Sequence, residues 1–100
     1  MGIFNRNGDF NKKLEEAANI PGAQIVDVRT PEEYQEGHIP GSINAPLAAL
    51  RQADFEEGAP LFVYCRSGAR SAQACAILQE EGYQAVNLGG ILSYRGELEK

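Results

Sequence analysis

The sequence predicts an α/β fold, a small parallel sheet flanked by helices on both faces. Short, mostly apolar stretches such as residues 24–28 and 61–64 alternate with stretches of helical periodicity, and strands that alternate with helices pair in parallel. The run 61–64 is apolar throughout, as expected for a strand buried on both faces. Since ligand sites in such sheets lie at the carboxyl ends of the strands, we expect the functional residues to follow these runs.

Length and composition indicate one globular domain over residues 1–100. A hydrophobic share of 43% is typical of a globular chain. The net charge of −5 argues against nucleic acid or an anionic membrane as the main partner. The acidic groups at 32–36, 56–57 and 80–81 are interpreted as solvated faces. No apolar run is long enough to span a bilayer, and the first residues lack a signal-peptide core.

The chain has two cysteines, Cys65 and Cys75, and one histidine. If Cys75 lies two turns into a helix that begins after the loop at Cys65, it is roughly 9 Å further along the helix axis at ~1.5 Å per residue, which is poor geometry for a disulfide. We therefore expect free thiols in a reducing, cytoplasmic setting. Without a C-x-x-C or H-x-x-x-H pair, no metal site is expected.

The first part of the chain is predicted to contain a short strand at residues 3–5, a helix and a core strand. Asp9 is a candidate N-cap for the helix, and Pro21-Gly22 ends it. Residues 24–28 then form the first buried strand. The apolar positions of the helix recur at helical spacing: Phe10, Leu14, Ala17 and Ala18.

A strong helix start follows at Thr30. Threonine at the N-cap, Pro31 at the first helical position and Glu33 at the third make a capping box. Gly37 is expected to end this short helix. Residues 38–41, which contain proline and glycine, then form a turn.

The middle of the chain is predicted to hold two further strands. Residues 42–45 form a short strand, and Pro46 opens a short helix over 47–51. A polar loop at 54–60 leads to the continuous apolar strand 61–64. The chain therefore returns to the sheet interior just before its most distinctive stretch.

The last third is predicted to contain a helix, a strand and a closing helix. The first helix covers 72–81, with Gly82 as its C-cap. Residues 85–88 form the final strand, and 91–98 form an amphipathic helix. The first helix is expected to face the sheet through a row of mostly small side chains: Ala72, Cys75, Ala76 and Gln79.

The stretch 65–71, with the sequence Cys-Arg-Ser-Gly-Ala-Arg-Ser, joins the buried strand to that helix. A strand, a loop with glycine and a helix start gather backbone N–H groups and the positive end of a helix dipole in one place. These groups bias the Cys65 sulfur towards the thiolate, and Arg66 and Arg70 add to the bias. No Asp or Glu occurs from residue 58 to residue 79. The stretch therefore predicts an anion pocket that contains a nucleophile.

Six short motifs follow one another along the chain. They are Asp27-Val28-Arg29, Glu33-Tyr34, residues 37–44 (Gly-His-Ile-Pro-Gly-Ser-Ile-Asn), residues 65–71, Gly82-Tyr83 and residues 87–90 (Asn-Leu-Gly-Gly). In this order they resemble the single-domain rhodaneses, a family of sulfurtransferase modules. The resemblance implies a five-stranded parallel sheet with flanking helices.

The resemblance also implies an activity. Cys65 is the expected catalytic residue, a nucleophile that carries a sulfane sulfur as a persulfide. The expected partners are a small anionic sulfur donor, such as thiosulfate or another persulfide, and a thiophilic acceptor, such as cyanide, a thiol or a protein thiol. No cofactor is expected. The amides that hold the persulfide are those of the loop: Arg66, Ser67, Gly68, Ala69 and Arg70.

Charged residues around this loop have expected supporting roles. Asp27 and Arg29, at the end of the first core strand, are expected to tie neighbouring loops together by charge-assisted hydrogen bonds. Arg70 is expected to point inward, where it braces the loop or binds an anion, and Arg66 to lie at the rim. His38 is expected to brace its turn rather than to act in acid–base catalysis.

Three other functions are compatible with parts of this pattern. A cysteine phosphatase or arsenate reductase uses a longer C-x5-R loop, whereas Cys65 and Arg70 form C-x4-R. A non-catalytic binding module of the same fold usually lacks the cysteine. A thiol-redox protein needs a resolving cysteine close to the first.

Overall fold

A computed structural model describes residues 6–100 of the chain. The helices are α1 (Arg6–Ala18), α2 (Pro31–Glu36) and α3 (Ala69–Glu80). The strands are β1 (Gln24–Asp27), β2 (Ile43–Asn44), β3 (Leu61–Cys65) and β4 (Ala85–Gly90). Two short 3-10 helices cover Leu47–Gln52 and Ile91–Ser93. The predicted alternation of strands and helices is confirmed.

The described residues form one sheet of four strands in the order β2-β1-β3-β4. Every neighbouring pair is parallel. The resemblance implies five strands, one more than this part of the chain contains. The strand predicted at residues 3–5 lies outside the described residues.

Strand β3 is the centre of the molecule, and all five of its residues are buried. Because side chains alternate across a strand, Leu61, Val63 and Cys65 belong to one core cluster and Phe62 and Tyr64 to another. The first cluster includes buried residues of α3, and the second includes those of α1. Helices therefore cover both faces of the sheet, as predicted.

Helix α1 starts at Arg6, so the prediction that Asp9 caps it is wrong. Asp9 lies in the first helical turn instead. The helix dipole favours an acidic side chain throughout the first turn, so an aspartate marks a helix start only to within a few residues. Phe10 and Ala17 are buried as predicted, whereas Ala18 is exposed.

The short helix α2 has the predicted end groups. The Thr30 side chain accepts a hydrogen bond from the Glu33 amide at 3.2 Å, and the Glu33 carboxylate accepts one from the Thr30 amide at 3.0 Å. Gly37 follows the last helical residue. The capping box is confirmed.

Helix α3 starts at Ala69, three residues earlier than predicted, and Glu81 rather than Gly82 is its C-cap. Gly82 is the next residue, with a φ of +96° that favours glycine. The predicted buried row is wrong except at Cys75. The row that faces the core is Ser71, Ala74, Cys75 and Leu78. In the sequence, Ser71 looked like part of a polar loop. In the structure, hydrogen bonds satisfy its hydroxyl, so it can occupy a buried helical position.

The predicted closing helix over 91–98 is wrong. Only a 3-10 turn, Ile91–Ser93, forms there. Further on, the backbones of His38 and Glu99 exchange hydrogen bonds of 2.9 and 2.8 Å. A helix of eight residues with a glycine at position 96 is marginal by itself, so this pairing with a distant segment determines the course of the chain.

No helix in the described part of the chain is both long and apolar enough to cross a membrane.

Candidate active site

The residue Cys65 is the last one in β3, and the loop 66–68 connects it to α3. Its thiol is almost completely buried, with 1% of the residue exposed. The site therefore lies at the carboxyl edge of the parallel sheet, where the fold class predicts it.

Backbone amides surround the Cys65 sulfur. The Gly68 N–H donates to Sγ at 3.0 Å, and the Ser71 N–H donates at 3.3 Å. Gly68 has a φ of +106°, a left-handed conformation that L side chains rarely adopt. This glycine lets the loop turn back over the sulfur, so that the first amides of α3 point at it.

The surroundings of Cys65 lower the pKa of its thiol. Burial acts in the opposite direction, since it disfavours the charged form. The hydrogen bond between the thiol and the Ser71 side chain and those from the amides of Ser71, Gly68 and Arg70 together outweigh burial. Burial instead raises the pKa of the Cys75 thiol to about 11. Both cysteines are free, and Cys65, whose thiol pKa is lowered, has the greater thiolate character of the two.

The Arg70 guanidinium is held by a carboxylate from another helix. Its two terminal nitrogens donate to the two oxygens of Glu33 at 2.8 and 3.1 Å. The expectation that 32–36 forms only a solvated face is therefore wrong at Glu33. The stretch 58–79 contains no acidic residue. In the folded protein, however, α2 brings the carboxylate of Glu33 to the loop. Arg70 braces the loop, as predicted.

The ion pair makes stability depend on pH. The Arg70 hydrogen bonds, joined by those from Thr30, lower the pKa of Glu33 from 4.5 to about 2 although burial opposes this. A depressed carboxyl pKa contributes stability that is fully present above pH 4.5 and is lost as the pH falls through 2. We expect Glu33→Gln, which retains the capping box, to lower the free energy of unfolding at pH 7 by up to about 1 kcal/mol for a partly exposed pair.

The difference in unfolding free energy between the wild type and Glu33→Gln should shrink towards zero between pH 5 and pH 2. Urea unfolding at each pH measures it. Glu32→Gln, a change to an exposed acid in the same helical turn, is the control and should show a much smaller pH-dependent difference. A difference that stayed constant down to pH 2 would contradict the role of the Glu33 charge.

The other loop residues lie at the rim. Arg66, Ser67 and Ala69 are exposed, and Gly68 is half-buried. The carbonyl of Arg66 accepts a hydrogen bond from the Leu92 amide at 3.4 Å. Arg66 therefore lies at the exposed rim of the loop, as predicted.

Asp27 and Arg29 form a buried ion pair at the end of β1. The Arg29 guanidinium donates to the Asp27 carboxylate at 2.7 Å and to the Gly37 carbonyl at 2.8 Å. The pair ties the end of β1 to the end of α2, as predicted. His38 also braces its turn: its Nδ1 lies 2.8 Å from the Tyr34 carbonyl, and the two rings stack at 3.7 Å.

Besides Glu33, two side chains at the site, those of Ser71 and Asn87, had no predicted role. Ser71, with no exposed surface, places its Oγ 3.5 Å from the Cys65 sulfur. The same Oγ donates to the Asn87 Oδ1 at 2.7 Å. A signal was present in the sequence, because Asn87 interrupts an otherwise apolar strand, and a polar side chain in such a place requires a partner.

Cavities open on both sides of the loop. A polar cavity of about 540 Å³ lies towards α1, with Lys13, Ser67 and Asn87 in its wall. A smaller cavity of about 290 Å³, lined mostly by apolar side chains such as Leu47, reaches Arg70 from the other side. Among the described residues, no group of three or more His, Cys, Asp or Glu side chains is placed to hold a metal ion.

The chain is similar to known proteins. A family model described as "Rhodanese-like domain" matches residues 10–97. A protein of Allochromatium vinosum named sulfurtransferase is 39% identical over 90 residues, which cover 86% of this chain and 84% of that protein. The thiosulfate sulfurtransferase PspE of Escherichia coli is 42% identical over 71 residues, 66% of this chain and 68% of that protein.

A solved structure agrees with the sequence matches. The crystal structure of a rhodanese-like domain protein from Staphylococcus aureus superposes with a TM-score of 0.77 at 33% identity. The match covers 93% of this chain and 92% of that protein.

Proposed function

Because the chain belongs to the rhodanese-like domain family, we propose that it is a sulfurtransferase that carries sulfane sulfur as a Cys65 persulfide. The donor is a small anion, thiosulfate or another persulfide, and the acceptor is a thiophile, either cyanide or a thiol. The observation that carries the proposal is the amide cradle around the Cys65 sulfur, formed by the N–H groups of Gly68 and Ser71. The sulfurtransferase names of the relatives support it.

The first half of the reaction loads the enzyme. The Cys65 thiolate attacks the outer sulfur of thiosulfate, a new S–S bond forms, and the bond to the inner sulfur breaks. Sulfite departs with the electron pair of that bond. Arg66 at the rim attracts the anionic donor, and the lowered thiol pKa supplies the thiolate.

The second half of the reaction removes the sulfur from the enzyme. Cyanide or a thiolate attacks the terminal sulfur of the persulfide, and Cys65 leaves as a thiolate. The products are thiocyanate or a new persulfide on the acceptor. Loop amides that already point at the sulfur stabilise the negative charge that develops there, without reorganisation during the reaction.

Both thiols are free. This supports the further proposal that the protein works in a reducing setting, the cytoplasm, where a thiol acceptor remains available.

Phosphoryl or arsenate chemistry is less well supported. Such chemistry needs an arginine that can clamp the oxyanion, whereas the Arg70 guanidinium is already engaged by Glu33. The C-x4-R loop also gathers its amides around one sulfur atom rather than around three oxygens. A purely binding role has no use for a thiol whose pKa is lowered.

Mass spectrometry of the thiosulfate-treated protein tests the proposal. We expect Cys65 to gain the mass of one sulfur, which cyanide or dithiothreitol removes. We also expect negligible hydrolysis of aryl phosphates. Robust phosphatase turnover without any sulfur adduct would overturn the sulfurtransferase assignment.

A further inference from the structure

Ser71 offers one proton to several acceptors. Its Oγ lies 2.7 Å from the Asn87 Oδ1, 3.1 Å from the Gly68 carbonyl, 3.4 Å from the Gly89 carbonyl and 3.5 Å from the Cys65 sulfur. A serine hydroxyl has a single hydrogen and two lone pairs. The hydroxyl can therefore serve only one of these acceptors at a time.

The Asn87 side chain has a defined orientation. Its Oδ1 accepts a hydrogen bond from the Gly89 N–H at 2.9 Å, and a backbone amide can only donate. The atom that faces Ser71 is therefore an oxygen with no proton to give. It follows that the Ser71 hydroxyl donates to Asn87, and that a lone pair of Oγ faces the Cys65 sulfur.

That arrangement suits a protonated thiol, whose S–H can donate to the Ser71 lone pair. It does not suit a thiolate, because an oxygen lone pair would then face a negative sulfur. When the thiol proton leaves to water, the Ser71 hydrogen must turn from Asn87 to the sulfur in order to stabilise the charge. Asn87 is the nearest of the acceptors, ahead of the two backbone carbonyls, so it is the main competitor of the thiolate for this one hydrogen.

We propose that Asn87 is a positioning residue that tunes the Cys65 nucleophile by competing with its sulfur for the hydroxyl hydrogen of Ser71. The hydroxyl points to Asn87 while the sulfur is uncharged and to the sulfur while it is a thiolate. Only the role of Asn87 during turnover rests on the proposed function. In the persulfide, Sγ is again uncharged, so the hydroxyl of Ser71 returns to Asn87.

A bulge in the sheet places Asn87 for this role. The register between β3 and β4 shifts between Val63 and Tyr64, so that Val63 pairs with Asn87 and Tyr64 pairs with Gly89. Bulges re-aim side chains next to active sites. The Gly89 N–H donates to the Asn87 Oδ1 across the extra residue of the bulge. The same oxygen also accepts the hydrogen bond from the Ser71 hydroxyl.

Several charged groups lie on the elements around the site. They are Asp9 and Lys13 of α1, Asp27 and Arg29 at the end of β1, Glu33 of α2, and Arg66 and Arg70 of the loop. Neither Ser71→Ala nor Asn87→Ala alters any of them. Differences in thiol pKa between these variants therefore report on the hydrogen bonds.

The test measures the thiol pKa of Cys65 from the pH dependence of alkylation by iodoacetamide, which requires no sulfur transfer. All variants carry Cys75→Ala, so that one thiol reacts. We expect Ser71→Ala to raise the pKa by about one unit, since it removes a hydrogen bond to a charged group. We expect Asn87→Ala to lower the pKa, with a roughly threefold faster alkylation below the pKa, since a modest competing hydrogen bond is lost.

The double variant distinguishes competition for the Ser71 hydrogen from a purely structural role of Asn87 in holding the loop. If Asn87 acts through Ser71, then Asn87→Ala changes the pKa only while Ser71 is present, and the change disappears in the Ser71→Ala background. A rise on Asn87→Ala, or an equal shift in both backgrounds, would overturn the proposal. Asn87→Asp retains both acceptor contacts should the alanine variant not fold, and its rise in pKa should be smaller in the Ser71→Ala background than in the parent.

This experiment is independent of the proposed function. The opposite pKa shifts expected for Ser71→Ala and Asn87→Ala can be measured whether or not the protein forms a persulfide. A persulfide that forms normally in variants without those shifts would leave the sulfurtransferase assignment intact and remove the role of Asn87.

Discussion

Replacing Cys65 by serine is expected to abolish thiosulfate:cyanide sulfur transfer, by at least about a thousandfold as for other covalent catalysts that lose their nucleophile. A serine hydroxyl remains protonated at neutral pH and forms no persulfide, even though the amides of Gly68 and Ser71 still surround it. The fold should survive, because serine is similar in size. Thiocyanate formation measures the loss, and mass spectrometry should find no added sulfur.

The matched control is Cys75→Ala. Cys75 is buried in the core cluster on α3, and the pKa of its thiol is raised. Its removal should leave most of the activity and cost of the order of 1 kcal/mol in the free energy of unfolding. A folded but inactive Cys75→Ala protein would show that the mechanism requires both thiols.

A second large effect is expected from Gly90→Ala. A Cβ on Gly90 would meet the Arg66 carbonyl oxygen and would lie 2.7 Å from the Cα of Ser67. Both contacts are with backbone, so the loop itself must move. Since a displacement of about 1 Å can cost about 100-fold in rate, we expect kcat/KM for thiosulfate to fall by roughly that factor. The pKa of the Cys65 thiol should rise as its amides withdraw.

The control for this prediction is Gly58→Ala. Gly58 has a φ of +86°, so alanine is strained there, but no atom lies within 4 Å of its Cβ position. This variant should be destabilised and should retain its kcat/KM below the temperature at which it unfolds. Equal losses of activity in both variants would mean that stability, rather than the position of the loop, determines the rate.

Contacts between neighbouring residues were predictable, whereas contacts between distant residues were not. The capping box of Thr30 and Glu33 was predictable because its partners are three residues apart and their backbone geometry follows from the helix itself. The start of α3 was misplaced by three residues because Ser71 reads as a loop residue until its partners are known. The closing helix was mispredicted because His38, a distant residue, holds the backbone of Glu99.

The sequence by itself determined the alternation of strands and helices, the buried strand that ends in Cys65 and the glycine loop that follows it. These features depend on the order of neighbouring residues, which periodicity and turn chemistry reveal. Only the tertiary structure decided which side chains complete the site. Glu33 reaches Arg70 across 37 positions, and Asn87 reaches Ser71 across 16. Such pairs depend on the register of β3 with β4 and on the placement of α2, which the packing of the whole core determines.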